Sequence, residues 1–248
     1  MWREGHLRES PPNRIKYEIL IFGHAKEDLD YHTFKTSNLF YELFNIKPYI
    51  RKISRTNGIK ICITSKVIVN FLIKNMKYTS GNKLKNLYKV PKYFFKIRDK
   101  KIISALIRGI ADTDLYLVFK IRKDTKFKEH HYPLIAGQFA SRTLTEQLKE
   151  LLNKLGIHSH LEKGTRKLNN KLFRHYRVVV VGKKNLEKWV SIVGFNNPKH
   201  YTKYLVWKKF GFCPTRTTLE ERRKLLKGLM NINSLSARGE VANISLKN

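Results

Sequence analysis

The residues best placed to do chemistry are Asp112 and Asp114, which close the stretch Ala105-Leu106-Ile107-Arg108-Gly109-Ile110-Ala111-Asp112-Thr113-Asp114. Ile102, Ala105, Leu106 and Ile110 give this stretch an apolar helical face, and the helix is expected over about residues 99–112. A carboxylate at a helix C-terminus meets the negative end of the macrodipole, so Asp114 calls for a compensating cation. Mg²⁺ suits that place, because it prefers carboxylate and carbonyl oxygens. Without a cation the same D-x-D would only end the helix and start a turn. Gly109, on the apolar face, would let a second helix backbone approach closely.

The elements that must position these acids read as two similar halves. The second half opens with the acid-bearing helix and continues with strands at Asp114 to Arg122 and Tyr132 to Phe139. A helix capped by Ser141 or Thr143 follows, with Leu144, Leu148, Leu151, Leu152 and Leu155 on its buried face and Gly156 at its end. Strands at Ile157 to Lys163 and Phe173 to Val181 and a helix at Lys184 to Val193 complete it. The first half repeats the order without its opening helix and first strand. It has a strand at Tyr17 to Phe22, a helix at Glu27 to Phe44, strands at Lys47 to Ile53 and Ile59 to Thr64 joined by an Asn57-Gly58 turn, and a helix at Ser65 to Lys74. The helix end Leu43-Phe44-Asn45-Ile46 corresponds to Lys154-Leu155-Gly156-Ile157, an offset of about 111 residues, and Gly81-Asn82-Lys83 takes the place of Asn196-Asn197-Pro198-Lys199. The expected fold is α+β: duplicated αββαββα units whose antiparallel sheets form a pseudo-symmetric saddle. The halves are expected at 1–97 and 98–213, followed at 214–248 by a helix begun at Thr217 or Thr218 and a loose polar tail from Asn231.

The 248 residues include 51 Lys and Arg against 19 Asp and Glu, a formal charge of +32, which directs the chain toward polyanions. Hydrophobic residues at 42% are enough for a packed core, and no apolar run approaches 18 residues. The first 30 residues hold Pro11, Pro12, Glu4, Glu9 and Glu27, which fits neither a signal peptide nor a transit peptide. A cytoplasmic, nucleoid-associated or organellar location and no membrane partner are expected. Cys62 and Cys213 have no neighbour at metal-ligand spacing and read as plain thiols, and the histidine pairs His130-His131 and His158/His160 lack zinc partners. Cations crowd the hairpins: Arg51, Lys52, Arg55 and Lys60 in the first half, then Lys120, Arg122, Lys123, Lys126, Lys128, Lys163, Arg166, Lys167, Lys171, Arg174 and Arg177. A merely soluble surface would mix signs, whereas basic β-ribbons can lie in the major groove with Lys and Arg on phosphates.

The stretch ending at Asp114, placed at the joint of a duplicated chain, resembles the second motif of the LAGLIDADG homing endonucleases. On that register Gly109 is the small packing residue, Asp112 the sixth position and Asp114 the catalytic, metal-binding acid; Leu115 stands where the family has Gly, which implies a different turn out of the helix. Trp2-Arg3-Glu4-Gly5-His6-Leu7 resembles the end of a truncated first motif and makes Glu4 the second catalytic and metal-binding acid. The resemblance covers about residues 2 to 230 and implies a monomer with two pseudo-repeats that cleaves double-stranded DNA at a specific site with Mg²⁺ (or Mn²⁺). It further implies Lys66 and Lys184 near the scissile phosphates, Gln138 ordering water, and Arg51, Lys52, Arg55, Lys60, Lys120, Arg122, Lys163, Arg166, Arg174 and Arg177 on DNA. RNA maturases share this fold, so a non-catalytic DNA-binding descendant or a protein assisting intron RNA splicing is the alternative; a basic ribosome-associated protein would explain the charge but not the duplication.

Overall fold

A computed structural model describes residues 17–76, 88–122, 129–168 and 170–235. The sequence expectations for Glu4, for Gly81-Asn82-Lys83, for Lys123, Lys126 and Lys128, and for the tail beyond residue 235 lie outside those residues. The first half contains β1 (Glu18–His24), a π-helical stretch (Tyr31–Thr36) running into α1 (Ser37–Phe44), β2 (Tyr49–Lys52), β3 (Gly58–Thr64) and α2 (Lys66–Lys74). The second contains α3 (Lys100–Asp114), β4 (Leu115–Lys120), β5 (Tyr132–Phe139), α4 (Arg142–Lys154), β6 (His160–Leu168), β7 (Lys171–Val181) and α5 (Lys183–Ile192). Helices α6 (Pro198–Phe210) and α7 (Leu219–Leu226) follow.

Both sheets are antiparallel, in the orders β1-β3-β2 and β4-β5-β7-β6. Each of β1, β2 and β3 occupies the place of β5, β6 and β7, so the duplication holds strand by strand, and β4 has no counterpart among the described residues. Alternation along the strands builds the core. Leu115, Leu117, Phe119, Ile135, Val178 and Val180 point to the helices, where Ile103, Ile107, Leu151, Leu152, Leu186 and Trp189 meet them. Each such side chain contributes about 1.5–3 kcal/mol by leaving water. The first half has a smaller core, Ile59, Ile61 and Ile63 of β3 against Ile68 of α2.

Local chemistry fixes the element ends. Asp99 caps α3 through Lys101 N (2.8 Å), Ser141 caps α4 through Leu144 N (3.1 Å), and Thr218 forms a reciprocal capping box with Glu221 on α7. Asn57-Gly58 is not the apex of its hairpin. The left-handed residue is Arg55 (φ 58°), and the Thr56 hydroxyl accepts from Gly58 N, so a longer turn replaces the two-residue one expected. The first helix begins at Leu29, two residues after the Glu27 expected, and enters π geometry at Tyr31, while Glu27 and Asp28 join the halves. The second half also takes in residues on either side of its expected bounds. Val90 lies in its core, its N–H donating to Gln147 Oε1 and its carbonyl accepting from Gln147 Nε2, while Ile232 and Leu235, expected in a loose tail, pack against it.

The halves join through acids of the first and bases of the last helices. Glu27 accepts from Leu219 N (2.6 Å) and from the fully buried Arg222 (2.6 Å), which also donates to Thr202 Oγ1 and to the Thr217 carbonyl. Asp30 pairs with Arg223 at 2.6 Å, and Asp28 with Lys199 at 2.7 Å.

Candidate functional site: the end of the motif helix and the sheet beside it

Helix α3 delivers Asp112 and Asp114 to different surroundings. Asp112 is fully buried, and its carboxylate accepts from Asn196 N (3.0 and 3.1 Å) and Asn197 N (3.0 Å), 84 and 85 residues away. Asn197 Nδ2 donates to the Asp112 carbonyl (3.0 Å) and to Asp28 Oδ1 (2.8 Å), so one amide bridges the motif helix, the entry to α6 and the first half. Burial pushes the Asp112 carboxyl up to about 6, against the lowering effect of its backbone amides and of Arg108 and Lys199. Asp28 is pulled the other way: Lys199, His24 N and Asn197 outweigh burial and hold it below the usual carboxylate range. His32, buried beside them with Nδ1 3.1 Å from Thr36 Oγ1, is driven down to about 4 chiefly by burial. Asp112 is thus a structural anchor.

Asp114 is half-buried at the rim. Thr113 Oγ1 lies 3.0 Å from the Gly109 carbonyl and 3.1 Å from Asp114 Oδ2, so the last turn is satisfied beside the carboxylate. The family's Gly at the next position is not needed here. Leu115 leaves the helix with φ −98° and ψ 164°, ordinary extended backbone, and goes straight into β4. Leu115 pairs with Gly137, where an added Cβ would come within 2.9 Å of Leu115 Cδ1 and 2.8 Å of the Phe139 ring, so only glycine lets β5 run this close. The next residue, exposed Gln138, lies just beyond the last β4–β5 pair, at the end of the ladder where α3 gives way to β4, and it pairs with Arg177, itself the partner of Glu162.

The cations expected on DNA do not share one face. Cross-strand register sets Lys120, Arg166 and Arg177 on the face of the second sheet away from its core, with Tyr116, Gln138 and Glu162. Lys163 and Arg174 fall on the opposite face, where they line a cleft of about 810 Å³ with Arg142, Thr145 and Glu146 of α4. In the first sheet Arg51 and Lys60 are partners on the face away from the core, whereas Lys52 pairs with core Ile59. Arg55 caps the hairpin tip, and Arg122 stacks over the Tyr132 ring at 4.9 Å. Lys66 is the first residue of α2 and sits over the Tyr17 ring at 5.6 Å; its positional counterpart is Lys183, with Lys184 one residue further on. Helix α5 leaves the end of β7 that pairs with Leu134, about 13 Å along the strand from the Gln138–Arg177 row. Lys184 is thus not brought together with Asp114.

Leu106 and Ile110 of α3 pack against the core, whereas Ile102, Ala105 and Gly109 form an uncovered strip among the described residues. Ile102 is 47% exposed, and a Cβ added at Gly109 would meet nothing within 4 Å. No group of three or more His, Cys, Asp or Glu able to hold a metal occurs among the described residues, and both cysteines are free. Asp114 alone fits the way Mg²⁺ is held, through one or two carboxylates with water and substrate phosphate making up the octahedron. No helix among the described residues is long and apolar enough to cross a membrane. Sequence reasoning passed over Glu162, Tyr116, Asp28, Asn197 and Arg222. Arg222 had left a trace, since its spacing from Leu219 and Leu225 sets it on the buried stripe of α7.

The model of the LAGLIDADG-like domain family matches residues 101–194. Among solved structures, the meganuclease I-SmaMI bound to uncleavable DNA is 14% identical with a TM-score of 0.50, covering 93% of this chain and 93% of that one. A double mutant of I-SmaMI is 13% identical with a TM-score of 0.50, covering 90% and 88%. I-DmoI in complex with DNA and Mn is 13% identical with a TM-score of 0.49, covering 75% and 86%. No protein of curated function matches the sequence. The duplicated β-sheet order and the helix that ends in Asp114 are accordingly those of the meganuclease fold, and residues 101–194 match the LAGLIDADG-like domain.

Proposed function

We propose that this chain is a site-specific endonuclease of double-stranded DNA, working as a monomer with two pseudo-repeats in a nucleoid or an organelle. The observation that carries the reading is the half-buried Asp114, held at the end of the motif helix where it runs into β4, in a sheet whose outer face bears exposed Gln138 with Lys120, Arg166 and Arg177. Arg51, Lys60 and Arg55 extend that cationic surface in the first half. Phosphates engaged by these groups set the register of the duplex, and side chains between them face base edges.

Asp114 would hold Mg²⁺ (or Mn²⁺), with Glu4 as the second acid, and when bound the metal activates water and neutralises charge on the phosphate. The remaining work falls to the chain itself. Gln138 orders the attacking water, Lys66 favours the phosphate charge, and Asp112 keeps the helix end fixed through the amides of Asn196 and Asn197.

The test is cleavage, with and without Mg²⁺, of duplexes that the protein itself selects by binding from a randomised pool. Wild type is expected to cut, and Asp114→Asn to bind with unchanged affinity while losing about a hundredfold or more in rate. Binding without any nicking by the wild type would overturn the enzymatic reading.

A further inference from the structure

Beside the apolar patch of Leu134, Ala136 and Val179, the face of the second sheet away from the main core carries the acid Glu162 among the cations Lys120, Arg166 and Arg177. Glu162 is the cross-strand partner of Arg177, whose Nη1 donates to Glu162 Oε2 at 2.6 Å while Nη2 donates to the Tyr116 hydroxyl at 2.8 Å. His160 Nε2 lies 3.3 Å from the other carboxylate oxygen. The carboxylate is therefore oriented by side chains on β4, β6 and β7, yet it remains 41% exposed, more than the 24% of Arg177. A carboxylate has about four acceptor positions, and two are occupied by these partners.

Such a group is poorly matched to phosphates. An acid on a DNA-facing surface is repelled by the backbone unless it accepts from a donor on a base edge. In the major groove the donor matched to a carboxylate is the exocyclic amino group of cytosine. Bracing adds to this, because an acceptor already fixed in position loses little freedom on binding. At the same ladder position in the first half stands Arg51, opposite Lys60, with no acceptor to offer.

On the reading of the chain as a DNA-binding endonuclease, we propose that Glu162, positioned by Arg177 and Tyr116, is a specificity-determining residue that accepts a hydrogen bond from the N4 amino group of one cytosine under the second sheet. The target is then asymmetric, with a fixed cytosine in one half-site and no equivalent in the other.

The experiment is selection of duplexes from a randomised pool by the full-length protein without divalent cation, repeated with Glu162→Gln and Glu162→Asp. For wild type one column of the selected sites is expected to be cytosine. Glu162→Gln should lower that preference about 5- to 150-fold or turn it toward adenine, the other columns and the affinity for unselected DNA staying as they were. Glu162→Asp keeps the charge but withdraws it, and should weaken the same column alone. An unchanged consensus in both variants, or an altered column whose wild-type base is not cytosine, overturns the assignment of Glu162 while leaving sequence-specific DNA binding intact. A wild type that selects no consensus overturns the underlying reading as well.

Discussion

The two sheets meet the same ladder position with different charges. In the first, Arg51 stands across from Lys60, two cations on neighbouring strands; in the second, Glu162 stands across from Arg177, joined at 2.6 Å and held by Tyr116. Like charges directly opposite destabilise a strand pair by a few tenths to about 1 kcal/mol, whereas a matched pair stabilises it by a similar amount. The first sheet is thus the less content alone and gains more from an anion lying on it. The cores differ in the same sense. Second-half strands are backed by α3, α4 and α5 in one continuous cluster, while the first half relies on four isoleucines and leaves Phe34, Leu39, Leu43 and Val67 exposed. The first half leans on the second through Glu27, Asp28 and Asp30.

Removing that support should produce the largest effect. Arg222→Ala leaves Glu27 partly buried without its partner and is expected to lower the unfolding free energy by about 3–5 kcal/mol, read from the denaturant midpoint. Amide exchange should quicken in β1 to β3 well before β4 to β7, and equal acceleration would break the view that the first half is the dependent one. Next comes Asp112→Asn, which puts an amide where a carboxylate accepts from two backbone N–H groups, at about 1–3 kcal/mol.

The pH dependence separates the halves further. Asp112 is raised above 3.8 to about 6, so between those values the native state keeps a proton that the unfolded state releases, and stability falls as pH rises. His32 is lowered from 6.5 to about 4; the unfolded state alone binds its proton in that window, and stability rises with pH. Between pH 4 and 6 the two nearly cancel. His32→Asn should expose the Asp112 slope, a loss of about 1.4 kcal/mol per pH unit, and Asp112→Asn the opposite slope. Denaturation curves at pH 4, 5 and 6 decide it, and parallel profiles for both variants would refute the opposition.

Smaller effects probe the surface. Gly109→Ala should stabilise the chain by about 0.5–1 kcal/mol in thermal melts, because the new methyl meets nothing and the helix gains propensity; destabilisation would show that something packs on α3. Arg51→Glu should pair with Lys60 and reduce the slope of log affinity against log salt by about one, while Glu162→Arg steepens it by a similar amount.

Much of the architecture was legible in sequence because it rests on short-range periodicity. The Leu148, Leu151, Leu152 and Leu155 stripe, the Ser141 cap and the alternation of Ile59, Ile61 and Ile63 each declare an element without reference to the rest of the chain. What escaped depends on distant partners. Nothing near Asp112 announces that its hydrogen-bond donors lie 84 and 85 residues away at Asn196 and Asn197, so its part as an anchor was not legible. The hairpin cations were pooled although their parity already divided them: Lys163 and Arg166 differ by an odd number, as do Arg174 and Arg177, and each pair must face opposite ways. Which parity looks away from the core follows only from cross-strand register. The Asn57-Gly58 signal misled because the chain ahead of it supplied a different bend at Arg55.

Glu27, Asp28 and Asp30 face inward at the joint, and the chain has few acids to begin with. Each of the three is matched there by a cation, Arg222, Lys199 or Arg223, and the large excess of Lys and Arg over acids in the rest of the chain sets the field around the molecule. For a polyanionic partner this governs arrival more than retention: encounter is accelerated at low ionic strength, non-specific contacts form early, and the molecule can travel along a long strand before it settles.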